Sequence, residues 1–424
     1  VNDPSSRPLA RLTPERIARV ARAALGDEAL SGERALLVHD LDALGARLRA
    51  LRAAYPANAM HAVAIKANPV VAILREVVAA GCGLEAASIE ELHLALAAGC
   101  APARIVFDSP AKTRAEIDEA LTLGVRLNAD NPDELARIEA SAALASSSSI
   151  VGLRVNPGVG SGKISATSVA GRGSRFGVPI AQAHELYARH EWLRAVHAHV
   201  GSQGCSMDQL VEAARRVEAL REEVGAARLR HVDLGGGLPV AYLSGDDPPG
   251  FSAYTAALRE AAPGLFAPEV ELITEFGRAV HANCGWGLSR VEYVKPAGDA
   301  VVAVGHLGAD LLLRPVYAAK DWSHEFLALT PDGELKGGPT REHTLAGPLC
   351  FGGDVIAQSV QLPALEPGDW LVVRDAGAYT LSMWSRHCSR GIPAVVGARV
   401  AGDEVTLSTL RRAERPEDVV RFWS

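Results

Sequence analysis

One phrase recurs from His61 to about residue 290: a short apolar run, a polar residue at its end, a helix cap, a helical stretch, then a glycine. The runs are His61–Ile65, Gly83–Glu85, Ile105–Asp108, Val125–Asn128, Ile150–Val155, Ala195–Val200, His231–Leu234 and Glu271–Glu275. Between them stand good helix starts. Asn68-Pro69 and Asn131-Pro132 pair a cap with a first-turn proline, and Ser88 to Glu91 and Thr113 to Glu116 have capping-box spacing. Gly81, Gly99 and Gly124 supply stops. An open doubly wound sheet also alternates β and α. Eight units in about 230 residues favour a (β/α)8 barrel.

After residue 290 the texture changes to short β-rich segments separated by Gly, Pro and Asp, such as Asp299–Val304, Trp370–Arg374, Ala394–Gly397 and Glu404–Leu407. The expected fold class is therefore α/β: a TIM-type barrel over residues 35–290, with a second, mostly β domain built from 1–34 and 291–424. Ahead of the barrel runs lie a helix-like stretch, Thr13–Leu25, and a strand-like one, Ala35–His39. Asn156–Gly177 and Thr330–Thr344 read as mobile loops.

Bulk properties narrow the function classes. A net charge of −7 with scattered Arg and Lys argues against nucleic acid as a partner. No apolar run is long enough to cross a bilayer, and the first residues do not read as a signal peptide. Six cysteines without CxxC spacing suggest neither a disulfide framework nor a zinc site, so no metal is expected. The expectation is a reduced, cytoplasmic enzyme acting on a small molecule.

In such a barrel the carboxyl ends of the strands line the active site. Here they carry Lys66, Glu85, Asp108, Asn128, Arg154 with Asn156, His199 with Ser202, Gly235-Gly236-Gly237, and Glu275 with Arg278. Lys66 is one of six lysines and the only one in so apolar a setting. The triple glycine and Gly277-Arg278 follow the seventh and eighth strands, where this fold commonly binds phosphate. Glycines let backbone N–H groups approach phosphate oxygens, and Ser202 can add a hydroxyl. A phosphate site beside a lysine able to form a Schiff base points to pyridoxal 5'-phosphate (PLP). Glu275 would keep the pyridine nitrogen protonated and His199 would stack on the ring. A triple glycine alone is a common turn, and one strand-end histidine is commonly structural. The joint arrangement carries the inference.

These residues and others spread along the chain resemble a known family. Ala64-Ile-Lys66-Ala-Asn68, His199-Val-Gly-Ser202-Gln203, Gly235-Gly-Gly237, Glu275-Phe-Gly-Arg278, Arg314-Pro-Val-Tyr317, Gly347-Pro-Leu-Cys350 and Gly377-Ala-Tyr379 resemble the alanine racemase-fold (fold type III) PLP-dependent decarboxylases, which include ornithine and diaminopimelate decarboxylases. The resemblance implies Lys66 as the Schiff-base lysine and His199 as the stacking residue. It implies Ser202, the glycine turn, Gly277 and Arg278 around the phosphate, Glu275 at the pyridine nitrogen and Tyr379 near the cofactor. Cys350 would act from the neighbouring subunit, returning a proton to Cα after carbon dioxide leaves. A homodimer with shared active sites is implied, and a monomer would be inactive. A carboxylate at the ring nitrogen, where the racemases of this fold use arginine, favours decarboxylation.

Arg314 and Tyr317 resemble the element that grips a distal carboxylate, and Arg278 also belongs to the implied substrate site. After the cysteine, however, the family carries an acidic residue that holds a distal ammonium. Here Phe351 stands there, and only Asp354 could take over. The usual proline of the strand-eight motif is Phe276, and Trp384, Arg386 and His387 stand in an unusual segment. The expected reaction is PLP-dependent decarboxylation of an amino acid or conjugate with a distal carboxylate, such as a siderophore or secondary-metabolite precursor. Rival readings are a diaminopimelate or D-amino-acid (D-ornithine or D-lysine) decarboxylase, a Schiff-base aldolase without PLP, and a non-catalytic regulatory homologue.

Overall fold

Eight parallel strands close on themselves. They are β1 (Met60–Ala64), β2 (Gly83–Ala86), β3 (Ile105–Phe107), β4 (Arg126–Ala129), β5 (Val151–Asn156), β6 (Ala195–His197), β7 (His231–Asp233) and β8 (Glu271–Thr274). Each pairs in parallel with its successor, and β8 returns to β1 with Ile273 opposite Met60. Such strands are covered on both faces, so they read as continuous apolar runs without alternation. Every residue of β1, β2 and β3 is buried accordingly. The computed structural model describes residues 10–298 and 300–424.

Local chemistry sets the helix starts. Thr113 Oγ1 accepts the Glu116 N–H while the Glu116 carboxylate accepts the Thr113 N–H, and that helix stops at Gly124 with φ +74°. Asn131 caps the helix Pro132–Glu139 as expected. Two starts differ from expectation. Glu91 accepts the N–H of Ala87 rather than that of Ser88, so the box there is shifted by one residue. Asn68 is extended, φ −155° and ψ 108°, but Val70 is extended as well, φ −67° and ψ 112°, and stands at the cap position in its place. The helix begins instead at Val71, and a single 3-10 turn, Ile65–Ala67, carries Lys66 just beyond β1.

The chain divides into two compact units. One holds Gly45–Val240 and Asp247–Val280; the other holds Ala10–Leu44, Ala241–Asp246 and His281–Ser424. The second unit is mostly β. One of its sheets orders Phe326–Leu329, Trp370–Val373, Gly285–Arg290, Ala35–Asp40, Ala394–Ala401 and Glu404–Arg411. The helix Pro14–Leu25 lays Ile17, Val20, Ala21 and Ala24 onto the core formed with Trp286, Leu288, Val372 and Val396. Ala35–Asp40 thus pairs with Gly285–Arg290 and Ala394–Ala401, although its position in the sequence suggests the start of the barrel. An apolar run specifies a strand but not its sheet. The other sheet contains Tyr293–Ala297, Ala300–Val304, Thr340–Ala346 and Val355–Pro363. Thr340–Ala346 is therefore a strand, which shortens the loop expected over 330–344. Asp299 and residues 1–9 lie outside the described residues.

The stretch 156–177 is tied down. Val169 donates to the Val200 carbonyl at 3.0 Å, Lys163 to that of Gly204 at 2.9 Å, and Ser202 to that of Thr167 at 3.0 Å. Among the described residues no helix is long and apolar enough to cross a membrane. All six cysteines are free thiols, with Cys350 and Cys388 exposed.

Candidate active site

The carboxyl ends of the barrel strands bring four carboxyls, a lysine and two histidines together. Lys66 Nζ lies 2.5 Å from Glu85 Oε2, on a residue with no exposed surface. His197 Nε2 lies 3.6 Å from Glu275 Oε2 and 3.8 Å from Asp108 Oδ2. The three donors of Asp108, His197 and Glu275 are all within 4.8 Å of one another, close enough to share a proton or a small cation.

Burial and neighbouring charge sort these carboxyls into two kinds. Burial pushes Glu85 well above its usual range; Lys66 opposes this, while Asp108 and Glu275 reinforce it. Burial also resists ionisation of Asp108, but Lys66, a hydrogen bond with Glu85, His197 and Arg154 outweigh it, and Asp108 stays below its usual range. The same division recurs at the other side of His197. Burial and the Glu275 charge raise Asp233, whereas Glu275 is lowered by His197 and Lys66 against both burial and Asp108. Burial thus favours the protonated form of Glu85 and Asp233, and neighbouring cationic groups favour the ionised form of Asp108 and Glu275.

The glycine turn is built around His199. Gly236 N–H donates to His199 Nδ1 at 3.1 Å, and Gly235 N–H donates to Asp233 Oδ1 at 2.9 Å. Burial drives the His199 pKa down to about 3, helped by Arg154 and Lys66 and opposed by Glu275. The ring is neutral, with its proton on Nε2, and part of its surface remains open although protein atoms surround it closely. Glycine is required at two positions by close approach. A Cβ on Gly236 would stand 2.6 Å from the Glu275 carbonyl oxygen, and one on Gly277 would stand 2.7 Å from the Ala67 Cβ. Arg278 Nε donates to Ser202 Oγ at 3.0 Å, which joins the ends of β6 and β8.

The second unit holds the remaining expected residues. Arg314 sits on the short helix Leu313–Tyr317 with its guanidinium 4.5 Å from the centre of the Trp322 ring and 4.3 Å from that of Tyr379. Tyr379 has φ +56°, a left-handed backbone that is unusual for a bulky residue and frequent at functional sites. Phe351 is 39% exposed and Tyr317 67%, and their rings stack with centroids 6.1 Å apart and planes at 18°. His387 meets Phe351 edge-on at 6.0 Å. Asp354, the expected partner for a distal ammonium, is used inside its own loop. It is 4% exposed and accepts the N–H groups of Ala309 at 2.6 Å and Leu349 at 2.7 Å. Arg386 is likewise committed, to Glu414 at 2.6 Å and to the faces of Trp384 and Phe422.

Three functional neighbours were not singled out by sequence reasoning. His197 shares a strand face with His199, two residues on, so the period of two carried its signal. Asp233 opens the glycine turn. Trp322 had no local signal, because its contact with Arg314 bridges a loop.

Comparison with known proteins agrees with this geometry. Residues 41–282 match the family profile described as pyridoxal-dependent decarboxylase, pyridoxal binding domain. A diaminopimelate decarboxylase of Pseudomonas aeruginosa is 35% identical over 342 residues, 78% of this chain and 80% of the relative. One from Neisseria meningitidis serogroup B is 32% identical over 391 residues, 90% and 91% of the two chains. The crystal structure of Helicobacter pylori diaminopimelate decarboxylase complexed with L-lysine superposes with a TM-score of 0.83 at 26% identity, covering 93% of this chain and 97% of the other. The chain belongs to the pyridoxal-dependent decarboxylases of the ornithine and diaminopimelate type, and is a PLP-dependent amino acid carboxy-lyase.

Proposed function

We propose that the chain removes the α-carboxylate of an amino acid that carries a second carboxylate at its far end. Diaminopimelate is the member of that class named in the relatives, and this supports it above a conjugate from a secondary pathway. The observation that carries the reading is the Arg314 guanidinium, held between Trp322 and Tyr379. A planar fork packed against two aromatic rings is suited to bidentate recognition of a carboxylate.

The barrel residues fit PLP. Lys66 would hold it through Nζ, and Ser202, Gly237, Gly277 and Arg278 would surround its phosphate, since the N–H groups of Gly235 and Gly236 are used by Asp233 and His199. The neutral His199 ring would lie along the pyridine, with the Glu275 anion at its nitrogen. When bound, the cofactor supplies the sink for the electron pair left as carbon dioxide departs. Glu275 keeps a proton at the ring nitrogen, and His197 beside it works against the burial that would raise the Glu275 carboxyl. The Cys350 thiol returns a proton to Cα from a second copy of the chain in a cytoplasmic homodimer, and Tyr379 lies near the cofactor. Arg278, Arg314 and Tyr317 orient the substrate, and Phe351 lines its far end.

Carbon dioxide release tests the substrate class. Turnover is expected with meso-diaminopimelate or 2-aminopimelate, and not with D-lysine, D-ornithine or L-ornithine. Release from the monocarboxylic amino acids alone would overturn the reading.

A further inference from the structure

Resting on the reading of Cys350 as the acid, we infer that Asp354 is the positioning residue that holds the Cys350 thiol in place. The sheet sets two segments side by side. Ala300–Val304 and Thr340–Ala346 run parallel, with Val304 opposite Ala346, so both segments leave the sheet at the same end. The first continues past Gly308 and Ala309 into the short helix Leu313–Tyr317. The second turns back through Gly347–Asp354 into the strand Val355–Pro363, with Cys350–Gly353 at its exposed tip.

One buried carboxylate ties the two. Asp354 Oδ2 accepts the N–H of Leu349, next to Cys350, at 2.7 Å, and Oδ1 accepts the N–H of Ala309 on the other segment at 2.6 Å. Asp354 and Ala309 are 4% and 2% exposed. The Asp354 carbonyl closes the turn by accepting the Gly347 N–H at 2.9 Å, so the turn itself needs only backbone. The side chain reaches past it to the neighbouring segment. Glycines on both sides make room: a Cβ on Gly308 would stand 2.5 Å from Oδ1, and one on Gly347 would collide with both oxygens. A proton donor must stand within hydrogen-bond reach of the atom it protonates, and a misplacement of about 1 Å can cost about a hundredfold. A thiol on an exposed tip keeps one position only if the base of its loop is held. Both Asp354 oxygens are taken by the backbone, so the residue acts through Cys350.

Asp354→Asn keeps the shape but offers one oxygen to two N–H groups and turns a donor toward the other. In the PLP-loaded protein acting on meso-diaminopimelate, it is expected to lower kcat about tenfold to a hundredfold while KM changes by less than about threefold. Made in the Cys350→Ala background and read in single turnovers, the same substitution should cost less than about threefold, because the group it positions is already gone. Hydrogen exchange supplies a readout without turnover: the Leu349 or Ala309 amide should exchange at least about tenfold faster in Asp354→Asn. Asp354→Ser, a smaller single acceptor, should behave alike and replaces Asn if that variant does not fold. An unchanged kcat, unchanged exchange, or the full loss repeated in the Cys350→Ala background would overturn the inference while leaving Cys350 as the acid. If Cys350→Ala itself keeps native turnover, the reading of Cys350 fails and the inference with it.

Discussion

His197 Nε2 stands 3.6 Å from Glu275 Oε2, and neither side chain has more than 3% of its surface exposed. A buried carboxylate beside Asp108 would be driven to hold a proton, and His197 is the first cause working against that. His197→Asn should therefore lower kcat by about tenfold to a hundredfold, the scale of one hydrogen bond to a charged group. It should also shift the acid limb of the pH–rate profile upward. A purely structural His197 would lower activity without moving the limb.

Cys350 and Lys66 belong to opposite halves of the proposed shared site. Cys350→Ala and Lys66→Ala should each be nearly inactive alone. Mixed in equal amounts and allowed to exchange subunits, they should regain about a quarter of the native activity, since half the dimers then hold one intact site. No recovery would mean that Cys350 acts within its own chain or does not act.

Phe276, where the family usually has proline, is buried and packs against Tyr55, Phe251 and Tyr254, with ring centroids 5.3 to 6.4 Å away. Phe276→Ala should cost about 3–5 kcal/mol of stability. Denaturant unfolding of the barrel reads this, and a loss below about 1 kcal/mol would show that the cluster does not depend on the ring.

Several buried histidines are neutral. Burial lowers His39 and His61 to about 4 and His199 to about 3, and His281, 5.5 Å from His39, is lowered further by that neighbour. Their pKa values are depressed on folding from about 6.5, so their contribution to stability is present above that pH. It is lost as pH falls through 6.5 toward 4 and 3. The Tm should therefore drop between about pH 6.5 and pH 4, and a flat Tm across that range would contradict the burial of these rings.

Much of the barrel was legible because each strand ends in a polar residue that breaks an apolar run. Lys66, Glu85, Asp108 and Glu275 are such residues, and the structure gathers them within one site. The fate of Asp354 was not legible, because its backbone N–H partners at Ala309 and Leu349 come together only in the folded loop. The Trp322–Arg314–Tyr379 stack has the same origin, since cation–ring contacts leave no periodic trace. Asn68 misled because the chain stays extended through Val70, so the helix starts at Val71 and not at Pro69.

The account centres on Lys66 as the residue that holds PLP. Borohydride reduction of the PLP-loaded protein followed by peptide mass mapping tests this directly. A pyridoxyl adduct on Lys66, with loss of the visible absorbance band, is the predicted result. An adduct on Lys112 or another lysine, or no adduct despite saturating PLP, would contradict the assignment of the site.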